Sequence, residues 1–244
     1  MANKRIALIT GASKGLGALL ADFLAAQGHD LVLTARGADA LEATVTGLRK
    51  YGGTILALPG DVAESAHRRS LVLTAQSLGG LDLLINNASQ LGTTPLPTLA
   101  NYPVDEMRRV FEVNVFAPLA LIREALPLLK EGSGLVVNVS SDAAKGGYPG
   151  WGGYGASKAA LDLMSLTLAN ELRDAGISVV AVDPGDMRTE MHQAAFPGED
   201  ISDRLLPEVT LPFWAWLFGQ DRAAISGGRY QAQAEHWEAA HETV

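Results

Sequence analysis

Six short runs rich in β-branched residues and leucine punctuate the chain: Arg5 to Thr10, Asp30 to Ala35, Thr54 to Leu58, Leu81 to Asn86, Leu135 to Ser140 and Ile177 to Asp183. Within each run apolar residues follow one another almost without interruption instead of alternating with polar ones. That is the pattern of strands covered on both faces. The longer segments between them bring apolar residues back every third or fourth position, as at Leu16, Leu19, Leu20, Phe23 and Leu24, or at Leu161, Met164, Leu168 and Leu172. Such spacing lines one face of a helix. Strand and helix alternate, which predicts an α/β fold: a doubly wound parallel sheet of about seven strands with helices on both faces. The segment Ser226 to Gln231 supplies the seventh strand.

No internal repeat, low-complexity run or linker divides the 244 residues, so a single domain over 1–244 is expected. Regularity lapses only after Pro184, where residues 186–226 carry Pro197, Pro207 and Pro212. This stretch reads as a mobile substrate-lid insertion rather than core. Composition adds exclusions: with 48% hydrophobic and 19% charged residues the chain is ordinary globular material, and a net charge of -8 with scattered Lys and Arg offers nucleic acid nothing. No window reaches the roughly 18 uninterrupted apolar residues of a bilayer span, and the N-terminus runs directly into a strand without the three regions of a signal peptide. A cytoplasmic location is expected. Cysteine is absent, which rules out disulfides and thiolate nucleophiles, and no metal centre is expected.

Directly after the first strand comes Thr10-Gly11-Ala12-Ser13-Lys14-Gly15-Leu16-Gly17, followed by an Ala/Leu-rich helix. A strand-to-helix turn at this point aims free backbone N–H groups and a positive helix end at an anion, and glycines let a pyrophosphate come close. A tight turn whose glycines serve packing alone would look similar; position and downstream motifs decide between the two. Tyr154 and Lys158 lie four residues apart at the start of a long helical segment, so their side chains share a face. A phenol titrates near 10 and needs help to exchange protons at neutral pH; an adjacent ammonium favours the phenolate. By itself such a pair is most often a helix-surface contact.

Taken together, the TGxxxGxG loop, Asn86-Asn87-Ala88 and the Tyr154/Lys158 pair resemble the short-chain dehydrogenase/reductase family in its compact single-domain branch, over nearly the whole chain. The resemblance implies a Rossmann-like fold and hydride transfer between a nicotinamide and a carbonyl or alcohol. It places Gly11, Ser13, Lys14, Gly15, Leu16 and Gly17 around the cofactor phosphates. Ala35 stands where NAD-selective members carry an acid, while Arg36 and Lys14 match basic positions of NADP-using members; a guanidinium can fork onto a 2'-phosphate, so NADP(H) is expected. Asp61 and Val62 match the adenine contacts, although Asp61 reads equally well as a cap. Asn87 and Ala88 fit the family's NNAG motif near the ribose, with Ser89 replacing its usual glycine. Pro184, Gly185 and Thr189 resemble the turn that holds the carboxamide.

For catalysis the resemblance implies four residues. Tyr154 exchanges the proton, Lys158 activates it and binds the ribose, Ser141 orients the substrate oxygen, and Asn114 supports a relaying water. Ser141 is preferred to Ser140, which is read as structural. Asp142, Lys145, Tyr148 and Trp151 lie on the intervening loop, where contact with substrate and closure of the loop are equally good readings. Met191, His192, Phe196, Phe213, Trp214, Trp216 and Phe218 fall near the expected substrate entrance, the tryptophans being assigned to packing or subunit contact. Helices 103–131 and 151–175 carry wide apolar faces, which the resemblance pairs across a two-fold axis, implying a homodimer or homotetramer. The partner is a small-molecule carbonyl or alcohol, with no nucleic acid and no membrane. An NADP(H)-binding sensor without turnover is the alternative, and the joint presence of Asn114, Ser141, Tyr154 and Lys158 argues against it.

Overall fold

A computed structural model describes residues 5–239. The apolar runs become β1 (Ile6–Thr10), β2 (Asp30–Ala35), β3 (Ile55–Pro59), β4 (Leu83–Asn86), β5 (Leu135–Val139) and β6 (Ser178–Asp183), joined by a shorter β7 (Arg229–Gln231). All pair in parallel in the order β3-β2-β1-β4-β5-β6-β7. The expected sheet is present, and the chain reverses direction across it between β1 and β4, which opens a crevice beyond the C-terminal strand ends.

The helices are α1 (Gly15–Ala26), α2 (Ala38–Leu48), α3 (Ser65–Leu78), α4 (Val104–Phe111), α5 (Ala117–Glu131), α6 (Ala143–Gly146), α7 (Gly152–Glu171), α8 (Glu190–Ala195), α9 (Leu211–Gly219) and α10 (Arg222–Ile225). Two apolar layers cover the sheet. One gathers Leu20 and Leu24 of α1, Leu41 of α2, and Ile9, Leu33 and Val137 of the sheet. The other gathers Leu71 of α3, Ile122 and Leu129 of α5, and Leu8, Val32 and Val136. Successive strand residues thus feed opposite layers, which is why the strands read as unbroken apolar runs.

Two features differ from the sequence reading. The segment 186–226 divides: α8 borders the cleft, but Phe213, Trp214, Leu217 and Ile225 are fully buried in the first apolar layer. The second half of the anticipated mobile insertion is therefore core: Phe213 and Phe218 pack around Tyr230, Trp237 and Phe23 instead of standing at the substrate entrance, and Trp214 and Trp216 take the packing role expected of them. Its prolines open helical turns there, Pro207 in a 3-10 turn and Pro212 in α9. Secondly, α4 and α5 are joined through a π-helical turn at Glu112–Phe116, which carries one residue more per turn.

Buried polar groups tie the layers together. Asn86 on β4 donates to Asn138 Oδ1 on β5 at 2.8 Å, and Asn138 donates to Ser165 Oγ on α7 at 2.8 Å. Each amide pays its desolvation only with its neighbour in place, so the ladder fixes the register of β4, β5 and α7 behind the cleft.

Candidate active site

The cleft at the strand ends encloses about 1110 Å³, above the upper range usual for a drug-sized ligand. Room for a dinucleotide and a second molecule follows. Its floor on one side is the glycine loop. Gly11 (φ +67°) and Gly15 (φ +51°) take left-handed backbone conformations, and a Cβ on Gly17 would stand 2.2 Å from the Gly11 carbonyl oxygen, so side chains are excluded there on both counts. The Asn87 amide donates to the Thr10 and Gly11 carbonyls at 3.0 and 3.1 Å. Asn87 thus braces the loop, and only its oxygen is left to face a ligand.

Lys14, Arg36, Asp61, Val62, Ala88 and Leu16 all line the cleft with Ser13, Gly11 and Gly15, whereas Gly17 stands behind them against the Gly11 carbonyl and the Asn87 amide. Asp61 Oδ1 accepts from the Ala63 N–H at 2.9 Å, bracing the turn that leads to α3, whose N-cap is Glu64, so Asp61 takes a place on the cleft without capping the helix. Arg68, a buried arginine that sequence reasoning missed, donates to the Val62 and Ala63 carbonyls at 2.7 and 2.8 Å and holds this turn. Lys14 is not free: its Nζ meets Glu190 Oε2 at 2.5 Å, both side chains being largely exposed. An exposed pair of this kind is worth at most about 1 kcal/mol, a small barrier to exchange for a phosphate.

Across the cleft, Gly185 (φ +74°) turns the chain after Pro184, and the Thr189 hydroxyl accepts from the His192 N–H at 3.2 Å, capping α8. Thr189 Cγ2 lies 3.3 Å from where a Gly15 Cβ would be, so this turn and the glycine loop close on the same space.

The catalytic candidates converge. Tyr154, Lys158, Leu161, Ser165 and Ala169 form one buried stripe along α7, which settles the pair as interior rather than a helix-surface contact. Lys158 is 2% exposed, and its Nζ donates to the Val139 carbonyl at 2.7 Å and sits 5.5 Å from the Tyr154 ring centre. Burial pushes the Tyr154 phenol up to about 12, with Asp183 and Asp142 adding to the rise, while hydrogen bonding from the Ser89 and Ser141 hydroxyls opposes it. Burial likewise brings Lys158 down to about 8. The expectation that Lys158 lowers the phenol's pKa is not met without ligands, because desolvation is the largest effect on the phenol and burial disfavours the ammonium beside it as well. Tyr154 is consequently held as an acid.

Of the two serines it is Ser141 whose hydroxyl meets Tyr154; it also bonds Asp142 Oδ1 and the Ala143 N–H, at 3.0 and 3.1 Å. Ser140 is buried with its hydroxyl unpartnered. Asn114 sits on the π-helical turn, fully buried. Its oxygen accepts from the Gln90 N–H at 2.7 Å and from Ser89 Oγ at 3.2 Å, and its nitrogen donates to the Gln90 carbonyl at 2.9 Å and to Ser157 Oγ at 3.0 Å. These four bonds exhaust the amide; a relaying water held at this residue has to use its main chain.

Arg229, on β7, is a further residue with no sequence signal beyond being a lone cation in a strand. It donates to the Ser141 carbonyl at 2.8 Å and to Asp162 Oδ2 at 2.7 Å, and lies 3.5 Å from Asp183 Oδ2. Arg229→Met strands the buried Asp183 and the part-buried Asp162 carboxylates, and a loss of about 3 kcal/mol in denaturant unfolding is expected, accompanied by a lower kcat as Ser141 loosens. Unchanged stability would show the network to be ornamental. Trp151 packs edge-on to Tyr154 at 5.8 Å and tilts against Phe196 at 6.1 Å, with His192 beside Phe196 at 5.0 Å. With Met191 and Tyr148 these residues form the largely apolar wall facing the reacting end, and Asp142 lines the cleft beside them.

Residues 5–200 match the family model described as short chain dehydrogenase. An uncharacterized oxidoreductase of Saccharomyces cerevisiae is 36% identical over 77% of this chain and 72% of its own length. The Rhamnolipids biosynthesis 3-oxoacyl-(acyl-carrier-protein) reductase of Pseudomonas aeruginosa is 35% identical over 91% of this chain and 87% of its own. Among solved structures, a Shigella flexneri chain complexed with NADP superposes with a TM-score of 0.87 at 30% identity, covering 95% of this chain and 98% of that one.

Proposed function

This chain belongs to the short-chain dehydrogenase/reductase family, a family of oxidoreductases that use nicotinamide cofactors, and from that premise we propose that it is an NADP(H)-dependent reductase of a small carbonyl compound. The observation that carries the proposal is the meeting of the Tyr154 and Ser141 hydroxyls above buried Lys158, in the same cleft as the glycine loop. The donor set suits a dinucleotide: left-handed glycines and the N-terminal end of α1 for the pyrophosphate, Arg36 and Lys14 for a 2'-phosphate, Asp61 and Val62 for adenine, and Pro184, Gly185 and Thr189 for the carboxamide. A reduced nicotinamide held there supplies the hydride.

The protein's own part follows from geometry. Ser141 holds the carbonyl oxygen, Tyr154 passes its proton to that oxygen as negative charge develops, and Lys158, fixed on Val139, offsets the phenolate left behind. Asn114 keeps the 89–90 segment in place. The apolar wall of Trp151, Phe196 and Met191 selects a carbonyl flanked by apolar groups. The described helices include none long and apolar enough to cross a membrane. Exposed Val104, Phe116, Leu163 and Leu166 on the α4–α5 and α7 faces favour pairing with a second copy.

Consumption of NADPH in the presence of a panel of ketones, aldehydes and quinones, with Tyr154→Phe as control, tests the reading; a panel with no turnover despite NADPH binding would favour a sensor. Cofactor choice has its own check. Arg36→Ala should weaken NADPH about tenfold to a hundredfold, the worth of a charge-assisted bond, with NADH affinity nearly unchanged. Equal losses for both cofactors would overturn the assignment of Arg36.

A further inference from the structure

Ser89 occupies a position where the short-chain dehydrogenase pattern carries glycine, and its side chain is not idle. Its Oγ donates to Asn114 Oδ1 at 3.2 Å, and Asn114 is immobilised by three further bonds, to the Gln90 main chain through both amide atoms and to Ser157. Ser89 also lines the cleft together with Tyr154 and Ser141. Anchored from behind by a saturated amide on the π-helical turn, the hydroxyl has a fixed location from which to meet a neighbour.

We propose that Ser89 is a fifth working member of the site, a positioning residue whose Asn114-anchored hydroxyl grips the Tyr154 oxygen beside Ser141 and stabilises the phenolate that proton transfer leaves. The assignment rests on the reductase reading above. Hydrogen bonding between Ser89 and Tyr154 favours the ionised phenol, in the direction the role requires. During the step, the Tyr154 O–H bond breaks as the proton joins the substrate oxygen, and Ser89 turns its O–H from Asn114 toward the phenolate. Asn114 Oδ1 keeps its bond from the Gln90 N–H meanwhile. The charged groups facing the phenol are Lys158 on α7, Asp142 after β5 and Asp183 on β6, the last neutralised in part by Arg229 on β7. None of them is altered by a change at position 89.

The test measures the pH profile of carbonyl reduction with NADPH for the parent, Ser89→Ala, Ser89→Gly and Ser89→Thr. Loss of the hydroxyl should lower kcat about tenfold, with KM for NADPH steady. It should also move the upper alkaline limb, where the phenol itself ionises beyond the first fall set by Lys158, to higher pH by about half a unit or more, since a phenol that ionises less readily keeps its proton longer. Ser89→Thr, which retains the hydroxyl, should recover most of kcat. Ser89→Gly guards against misfolding of the alanine variant. Tyrosine ring-carbon NMR, with Tyr154 assigned by its disappearance in Tyr154→Phe, gives a readout independent of turnover: its alkaline titration should begin at higher pH in Ser89→Ala. Profiles and titrations that coincide with the parent overturn the proposal. A kcat loss with an unmoved limb and no recovery in Ser89→Thr also overturns it, by revealing packing alone.

Discussion

Tyr154→Phe should lower kcat for carbonyl reduction by about a thousandfold while leaving NADPH affinity within about threefold, because general acid catalysis of this kind contributes on the order of a hundredfold to ten-thousandfold. Phenylalanine preserves the ring that packs edge-on to Trp151 and lies beneath Lys158 Nζ. Only the hydroxyl shared with Ser89 and Ser141 is lost. Stability should change little, since the two serines keep their bonds to Asn114 and to Asp142. In the parent, the phenol stays protonated until about pH 12, whereas Lys158 begins to lose its ammonium near pH 8. Reduction should therefore hold through neutral pH, fall first above about 8 as the cation beside the nascent phenolate is neutralised, and fall again toward about 12 as the phenol itself ionises; phosphates bound nearby move the first limb upward. A variant retaining a tenth of parental kcat would show that Tyr154 is not the acid.

Lys158→Met should do two opposite things. Catalysis drops by about the same thousandfold, but the ligand-free protein gains stability at neutral pH. The folded-state pKa of Lys158 lies at about 8 against an ordinary 10.5, so between those values the native state binds fewer protons than the unfolded one. By linkage, stability from this group rises with pH across that window. Below it, the full cost of the buried ammonium is present, about 3 kcal/mol at 1.36 kcal/mol per unit. Methionine removes that cost; the orphaned Val139 carbonyl trims the gain. Denaturant titrations of the ligand-free variant and parent at pH 7 and pH 10 should show an advantage for methionine that shrinks at the higher value. A less stable variant at pH 7 would mean that the lysine is structurally well compensated where it lies.

The α/β architecture was legible because two-sided burial leaves strands as uninterrupted apolar runs, and the predicted bounds differ from β1, β4 and β6 by one or two residues at their starts. The gathering of Tyr154, Lys158 and Ser141 with the glycine loop followed from spacing on α7 and from the strand ends. Less was visible where a residue's job depends on partners far along the chain. Arg229 serves residues 162, 183 and 141, and no local pattern marks it. The core role of α9 was hidden by prolines that punctuate loops and helix starts alike. Asn114 was found, yet the extra residue in its helical turn has no signature in composition or periodicity. The pKa of Tyr154 was misjudged for a related reason: charge could be counted along the sequence, whereas depth could not.

The π-helical turn Glu112–Phe116 has a bearing on how the gene can be altered. A helix that accommodates one surplus residue can shed it, and excision of one of these five restores regular winding with the flanking turns nearly in phase, while the side chains within the turn change direction. The fold would tolerate such trimming at modest expense, but the amide that secures positions 89 and 90 would no longer face them. Recombination or loop-shortening programmes that treat this segment as an interchangeable length of helix would therefore return folded, inactive proteins.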